Sequence, residues 1–374
     1  MNKYTPKQRM LNAYKGVYSD YYPIAPEFWF FYPAKVLGIS VMEFQRDVPH
    51  WRGLLETFRK FNADGWGIAG ANEYNPHVKI QSEFRKIMDE KYRETQKVIC
   101  NGKELERSFI FYSKNPSWVE SFAVKNESDL KVYMDAFLSE DINYDFSNAR
   151  EAYKVVGEDF LLEFDLGLPF FDFFEGAMGF ENAIMFFVDS EEKVLQKFFD
   201  RYLNNKKKLL REAVENTSYE SYFIGCSSSC NSLLGANLWG KWDKPYLKAI
   251  TEEVHKYGKL IHHHNHGKIM QTIRNLVEIG FDCVCPFERS PGDVNGLEGL
   301  KAVREMLENK VTFNGNVHTI EALGKVTPEF VISQVREIKE AFKGTPRLII
   351  GTGDQVLYET PEENIYAMIE EGRK

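Results

Sequence analysis

The chain has little of what would assign it to several large classes of protein. It carries five cysteines in 374 residues: Cys100, Cys226, Cys230, Cys283 and Cys285. An odd count without C-x-x-C spacing argues against a disulfide scaffold and a zinc ribbon. Most of these thiols read as small buried hydrophobes in a reducing, cytoplasmic setting. No apolar run is long enough to span a bilayer, and the opening MNKYTPKQRM lacks the apolar core of a secretory signal, so no membrane is expected. No basic patch dominates and the formal net charge is -8, which argues against nucleic acid as a partner. No G-x-G-x-x-G directly follows the first apolar segment, and there is no P-loop, no G-x-S-x-G elbow and no internal repeat.

Aromatic residues, by contrast, are plentiful. They make up 14% of the chain, within a hydrophobic fraction of 43%. That supports an aromatic-rich core, with a wide aromatic-lined pocket as the functional alternative.

Histidines are concentrated in one place. Four of the eight fall in the stretch KLIHHHNHGK, as His262, His263, His264 and His266. The stretch begins like a buried strand and stops at Gly267. Strand alternation points His262, His264 and His266 to one face and His263 to the other. The Cα atoms of His264 and His266 would stand roughly 7 Å apart, close enough for two imidazoles to meet at one ion. A set of hydrogen-bonded core histidines is the blander reading.

Apolar periodicity places eight strands near 24–31, 64–68, 160–167, 221–226, 260–264, 281–287, 311–314 and 347–350. Helical patterns stand between them, and Ser190 reads as an N-cap. Eight strands alternating with helices make an α/β protein of the (β/α)8 TIM barrel type. A doubly wound sheet is the competitor. The whole chain, 1–374, reads as one barrel domain. A β-rich insertion near 75–115 holds a β-hairpin turning at Asn101-Gly102.

Barrel enzymes carry their chemistry at the C-terminal ends of the strands. Those ends supply Glu163, Asp165, Cys226 to Cys230, His264, His266, Glu288, Asn314, Asn316, His318, Thr352, Asp354 and Gln355. His264, His266 and Glu288 form a candidate three-ligand metal site with an open position. Glu288 and Asp354 are the candidate acid–base groups. Asp354 or His318 is available as a further ligand. The loops containing Asn316 and His318 (GNVH) and SPGD let the backbone approach a ligand, which makes Asn316 and His318 candidates for holding a cofactor.

These same stretches carry a resemblance. PYLKAITEEVHKYGKLIHHHNHG, the strand ending in Glu288, GNVHTIEAL and TPEENIYAMIEEGRK resemble the uroporphyrinogen decarboxylase superfamily, as do YYPIAPEFWFFYPAKVLGIS and FEGAMGFENAIMFFVDSEEKV nearer the N-terminus. The decarboxylase branch has an arginine-rich segment after the first strand and an acidic F-S-D-I motif after the second. Here those places read FWFFYPAKVLG and ADGWGIAGANE. The methyltransferase branch, similar to methylcobalamin:coenzyme M methyltransferase, binds zinc through H-x-C after strand five and a cysteine after strand eight. Here His264 matches the first ligand, His266 stands at the cysteine, and Thr352 lies near the last one. The resemblance implies a methyltransferase with zinc or another divalent metal as cofactor and a corrinoid as methyl donor. Its partners would be a corrinoid protein or free cobamide, a small-molecule methyl acceptor, and a second copy of the chain in a homodimer. A metal-dependent hydrolase or lyase on the same barrel, porphyrinogen-type decarboxylation, and a non-catalytic corrinoid- or tetrapyrrole-binding protein are the alternatives.

Overall fold

The computed structural model describes residues 3–325 and 327–374. Eight parallel strands curl in the order β1-β8-β7-β6-β5-β4-β3-β2. They are β1 (Ile24–Ala25), β2 (Trp66–Ala69), β3 (Leu161–Asp165), β4 (Ser221–Gly225), β5 (Leu260–Asn265), β6 (Cys283–Pro286), β7 (Thr312–Val317) and β8 (Leu348–Thr352). Every ladder between them is parallel, and the strands are buried on both faces because helices cover the outside. The expected (β/α)8 barrel is therefore the fold. Among the described residues no helix is long and apolar enough to cross a membrane.

No ladder joins β1 to β2. Asp64, buried just before β2, bridges them instead. Its Oδ2 accepts the Ile24 amide (3.1 Å) and its Oδ1 accepts Arg9 Nε (2.9 Å). Arg9 belongs to the helix Pro6–Lys15, which starts with a Thr5/Gln8 capping box and ends at Gly16 in the left-handed conformation. That helix lies across the N-terminal mouth of the barrel, where Thr312 Oγ1 donates to Ala13 O and Tyr14 OH donates to Glu163 Oε1.

Several boundaries differ from the expectation. The first strand is two residues long, because Pro26 has no N–H to continue the ladder. The chain runs on as a loop and enters the helix Phe31–Leu37, leaving Glu27 and Trp29 at the rim. Strand β7 extends to Val317, so Asn314 and Asn316 lie inside it. Ser190 does not cap a helix: the helix Glu192–Asn216 begins after Glu191. The helix after β4 starts at Asn231, with a break at Gly235 (φ 72°), and the one after β5 starts at Ile273.

The insertion is a four-stranded antiparallel sheet, Val78–Met88, Lys91–Cys100, Lys103–Tyr112 and Trp118–Ser121. Asn101 and Gly102 both have positive φ, as the hairpin turn requires. Val98, Cys100 and Leu105 bury their side chains in the same apolar cluster as residues of the barrel shell, which ties the insertion to the main body.

Candidate functional site

On β5 the alternation comes out as the sequence implied. His263 points outward, stacks on Phe281 with ring centroids 4.6 Å apart, and bonds Ile224 O through Nδ1 (2.9 Å). Burial holds its ring down to about 4, so it stays neutral. His262 and His264 point into the barrel. The parallel register sets His262 beside Cys283 and His264 beside Cys285.

A continuous line of polar contacts runs up the barrel axis from these two rings. Tyr14 OH and Ser221 OH donate to the Glu163 carboxylate, and His262 Nδ1 lies 2.8 Å from Glu163 Oε1. His262 Nε2 is 3.1 Å from Cys285 Sγ, which is 3.1 Å from His264 Nδ1. His264 Nε2 then faces His266 Nε2 at 2.7 Å, and His266 Nδ1 bonds Glu288 Oε1 at 2.8 Å. The second Glu288 oxygen accepts the Gly267 amide at 2.6 Å.

The histidines at the rim differ in charge. Burial lowers His264 well below its usual range, with His266 next to it adding to the effect. Burial also acts to lower His266, but the Glu288 hydrogen bond and charge outweigh it, and Asp354 and Glu27 reinforce them. The ring is held up at about 9. Burial raises Asp354, against the pull of His266. Glu27 is pushed up to about 8 by burial, then by the Asp354 charge.

The rim opens on a cavity of about 350 Å³. Trp29, Phe30, Trp66, Ile68, Leu168 and Phe223 form its apolar wall, and Glu27, Asp165, His264, His266 and Asp354 its polar one. Trp66 stacks on Phe223 with centroids 5.3 Å apart, packing closely beside the histidines. No Lys or Arg lines the cavity among the described residues.

The structure sorts the residues singled out in the sequence. His264, His266 and Asp354 share the cavity wall. Glu288 meets His266 from the far side of its ring and has both oxygens engaged. It stands as the partner that orients His266 and, expected as a third ligand, does not line the cavity with the two histidines. Asn316 and His318, expected as cofactor-binding residues, do not line the cavity. Asn316 is fully buried, and its amide donates to Phe287 O and Val294 O. His318 caps a π-helical turn, Thr319–Gly324: Nδ1 accepts the Ile320 and Glu321 amides while Nε2 lies 2.9 Å from Ser290 O.

Two site residues escape a reading of the sequence. Glu27 follows β1 directly, so the rule that rim residues follow strands finds it once the strand is ended at Pro26. Cys285 looks like a small hydrophobe in the sequence, yet its register against His264 gives it a polar role.

A divalent metal fits this donor set in part. Both rings are anchored through Nδ1, on Cys285 and on Glu288, which leaves both Nε2 atoms aimed at one point. Two nitrogens on one tetrahedral zinc stand roughly 3.3 Å apart, so the 2.7 Å pair has to open slightly. Among the described residues no three His, Cys, Asp or Glu side chains are already arranged to hold an ion.

An α/β barrel with a polar cluster at the C-terminal rim defines the class of this protein. The chain belongs to the uroporphyrinogen decarboxylase family, whose model matches residues 174–374. Among solved structures, a methyltransferase from Methanosarcina mazei shares the fold over 99% of this chain and 98% of its own, with a TM-score of 0.66 and 13% sequence identity. An uncharacterized protein shares 16% identity over 41% of this chain and 39% of its own, with a TM-score of 0.24 that carries no argument. No curated protein matches the chain.

Proposed function

We propose that this protein is a corrinoid-dependent methyltransferase rather than a decarboxylase. The observation that carries the reading is the pair of converging Nε2 atoms of His264 and His266 beside an aromatic cavity that lacks Lys and Arg. A substrate bearing several carboxylates needs cationic partners there, and this wall offers carboxylates instead.

His264 and His266 would hold a divalent metal, and Asp354 and Glu27 are the carboxylates on the same wall that could complete its ligands. When bound, such an ion would favour the deprotonated, nucleophilic form of a methyl acceptor. Trp66, Phe223 and Trp29 exclude water from the acceptor and strengthen every charge interaction at the rim. Glu288 fixes the direction of the His266 ring. Glu27, raised to about 8, can exchange a proton near neutral pH. The cavity suits a small acceptor and is too small to enclose a corrinoid ring, so a methylated corrinoid protein or free cobamide would present its methyl group at the open rim.

The test is to mix the protein with methylcobalamin and candidate thiol or amine acceptors and follow loss of the methyl-cobalt absorbance. His264→Ala/His266→Ala should abolish both that loss and any bound metal measured by elemental analysis. Unchanged metal content in the double variant would remove the proposed site.

A further inference from the structure

Three fully or nearly buried residues below the rim have no part in the reading so far: Glu163, His262 and Cys285. They lie along the barrel axis beneath His264 and do not line the cavity. We infer that Cys285, backed by His262 and Glu163, is a positioning residue that fixes the tautomer and direction of His264, so that the unprotonated Nε2 of His264 faces the rim.

Donors and acceptors must alternate along the line. A carboxylate only accepts, so Glu163 requires the proton of His262 to lie on Nδ1, 2.8 Å away. Tyr14 and Ser221 donate to the same carboxylate and hold it in place. When that ring carries a single proton, its Nε2 is an acceptor, and its neighbour at 3.1 Å is Cys285 Sγ. The thiol hydrogen therefore points down the barrel to His262. What the sulfur turns upward is a lone pair, 3.1 Å from His264 Nδ1. His264 must carry its proton there, which leaves Nε2 free to accept or to bind an ion at the rim. Every hydrogen bond in the line has one donor and one acceptor when followed in this direction.

This direction is set by the anchor at the closed end of the barrel. An apolar residue at position 285 would leave the His264 tautomer to His266 alone, whose charged ring also offers an N–H to His264 Nε2. A rim-facing N–H would compete with His266 and block an ion. Outer partners of this kind typically change metal affinity by about 10–100-fold. The inference rests on the proposed role of His264 for its functional meaning, but not for its test.

The primary measurement is the nitrogen chemical shifts of the His264 ring in protein labelled with ¹⁵N-histidine, assigned by the signals lost in His264→Asn. Affinity for Zn²⁺ alone is measured alongside by chelator competition on Cys285→Ala and Cys285→Ser. The expected result is a protonated Nδ1 and a lone-pair Nε2 in the wild type. Cys285→Ala should weaken Zn²⁺ by about tenfold or more, and added to His266→Ala, where no rim N–H holds the ring, it should mix the tautomers. Cys285→Ser, which can still donate and accept, should restore both. A wild-type His264 protonated on Nε2 would overturn the inference, and so would a tautomer left unchanged when Cys285→Ala is added to His266→Ala. The wild-type spectrum needs no variant to fold. If the wild type binds no Zn²⁺, the metal reading fails while the tautomer still decides this one.

Discussion

Asp243 and Asp172 lie buried beside the loop that follows β4. Asp172 accepts the Ser227 and Ser228 amides at 2.6 and 3.0 Å, fixing the loop that carries Cys226 to the cavity, and Asp243 accepts the Phe171 amide at 3.0 Å. Burial pushes Asp243 up to about 6. Burial, then the Asp243 charge, pushes Asp172 up to about 8. An acid raised on folding contributes stability that is fully present below its unfolded value near 4 and is lost as pH rises through its folded value. Stability should therefore fall between about pH 4 and pH 8, by at most roughly 1.4 kcal/mol per pH unit for each group. Asp243→Asn keeps an oxygen for Phe171 and should flatten the fall between pH 4 and 6. Urea midpoints measured across that range check this, and an equal slope in the variant would refute it. None of this was legible in the sequence. Asp172 and Asp243 sit on helices with no motif around them, and only packing takes them out of water. The histidines were legible, because an alternation of two follows directly from strand geometry.

At the level of elements, two glycines separate packing from backbone strain. A Cβ on Gly315, in β7, would stand 2.3 Å from Pro286 O in the neighbouring strand. Backbone cannot yield there, so Gly315→Ala should cost about 3 kcal/mol or prevent folding. Gly102, at the hairpin tip, has open space around it but a φ of +75°. Gly102→Ala should cost only about 1 kcal/mol. Denaturant titration of both variants compares them, and equal losses would mean that the close approach of β6 to β7 is not what requires glycine at 315. The Asn101-Gly102 turn was readable because it is a local conformational demand. The short β1 was not, since IAPEFWFF has the apolar content of a longer strand and only the missing Pro26 donor ends it. The length of β7 was hidden as well, because Asn314 and Asn316 look like loop residues until their partners on adjacent elements are known.

The whole barrel depends on joining its first two strands without a ladder. Asp64 does so through Ile24 and Arg9, both inside the fold. Removing one member of a buried ion pair leaves an uncompensated charge, so Asp64→Ala should destabilise the protein by about 3–5 kcal/mol. That is a large share of the stability of an ordinary domain. Equilibrium unfolding by urea checks it, and a loss under about 1 kcal/mol would mean that the barrel is held closed by other contacts.

Periodicity, turn residues and spacing were enough to determine the barrel, the hairpin and the face shared by His262, His264 and His266, because each depends on neighbours within a few residues. Tertiary structure alone decided what those histidines meet. It set Glu288 behind His266 as its orienting partner, brought Glu27 to the rim from more than two hundred residues away in sequence, withdrew Asn316 and His318 into structural hydrogen bonds, and placed Cys285 under His264. Such contacts cross between strands and loops. Their register is set by how the sheet curls and closes, which no local pattern encodes.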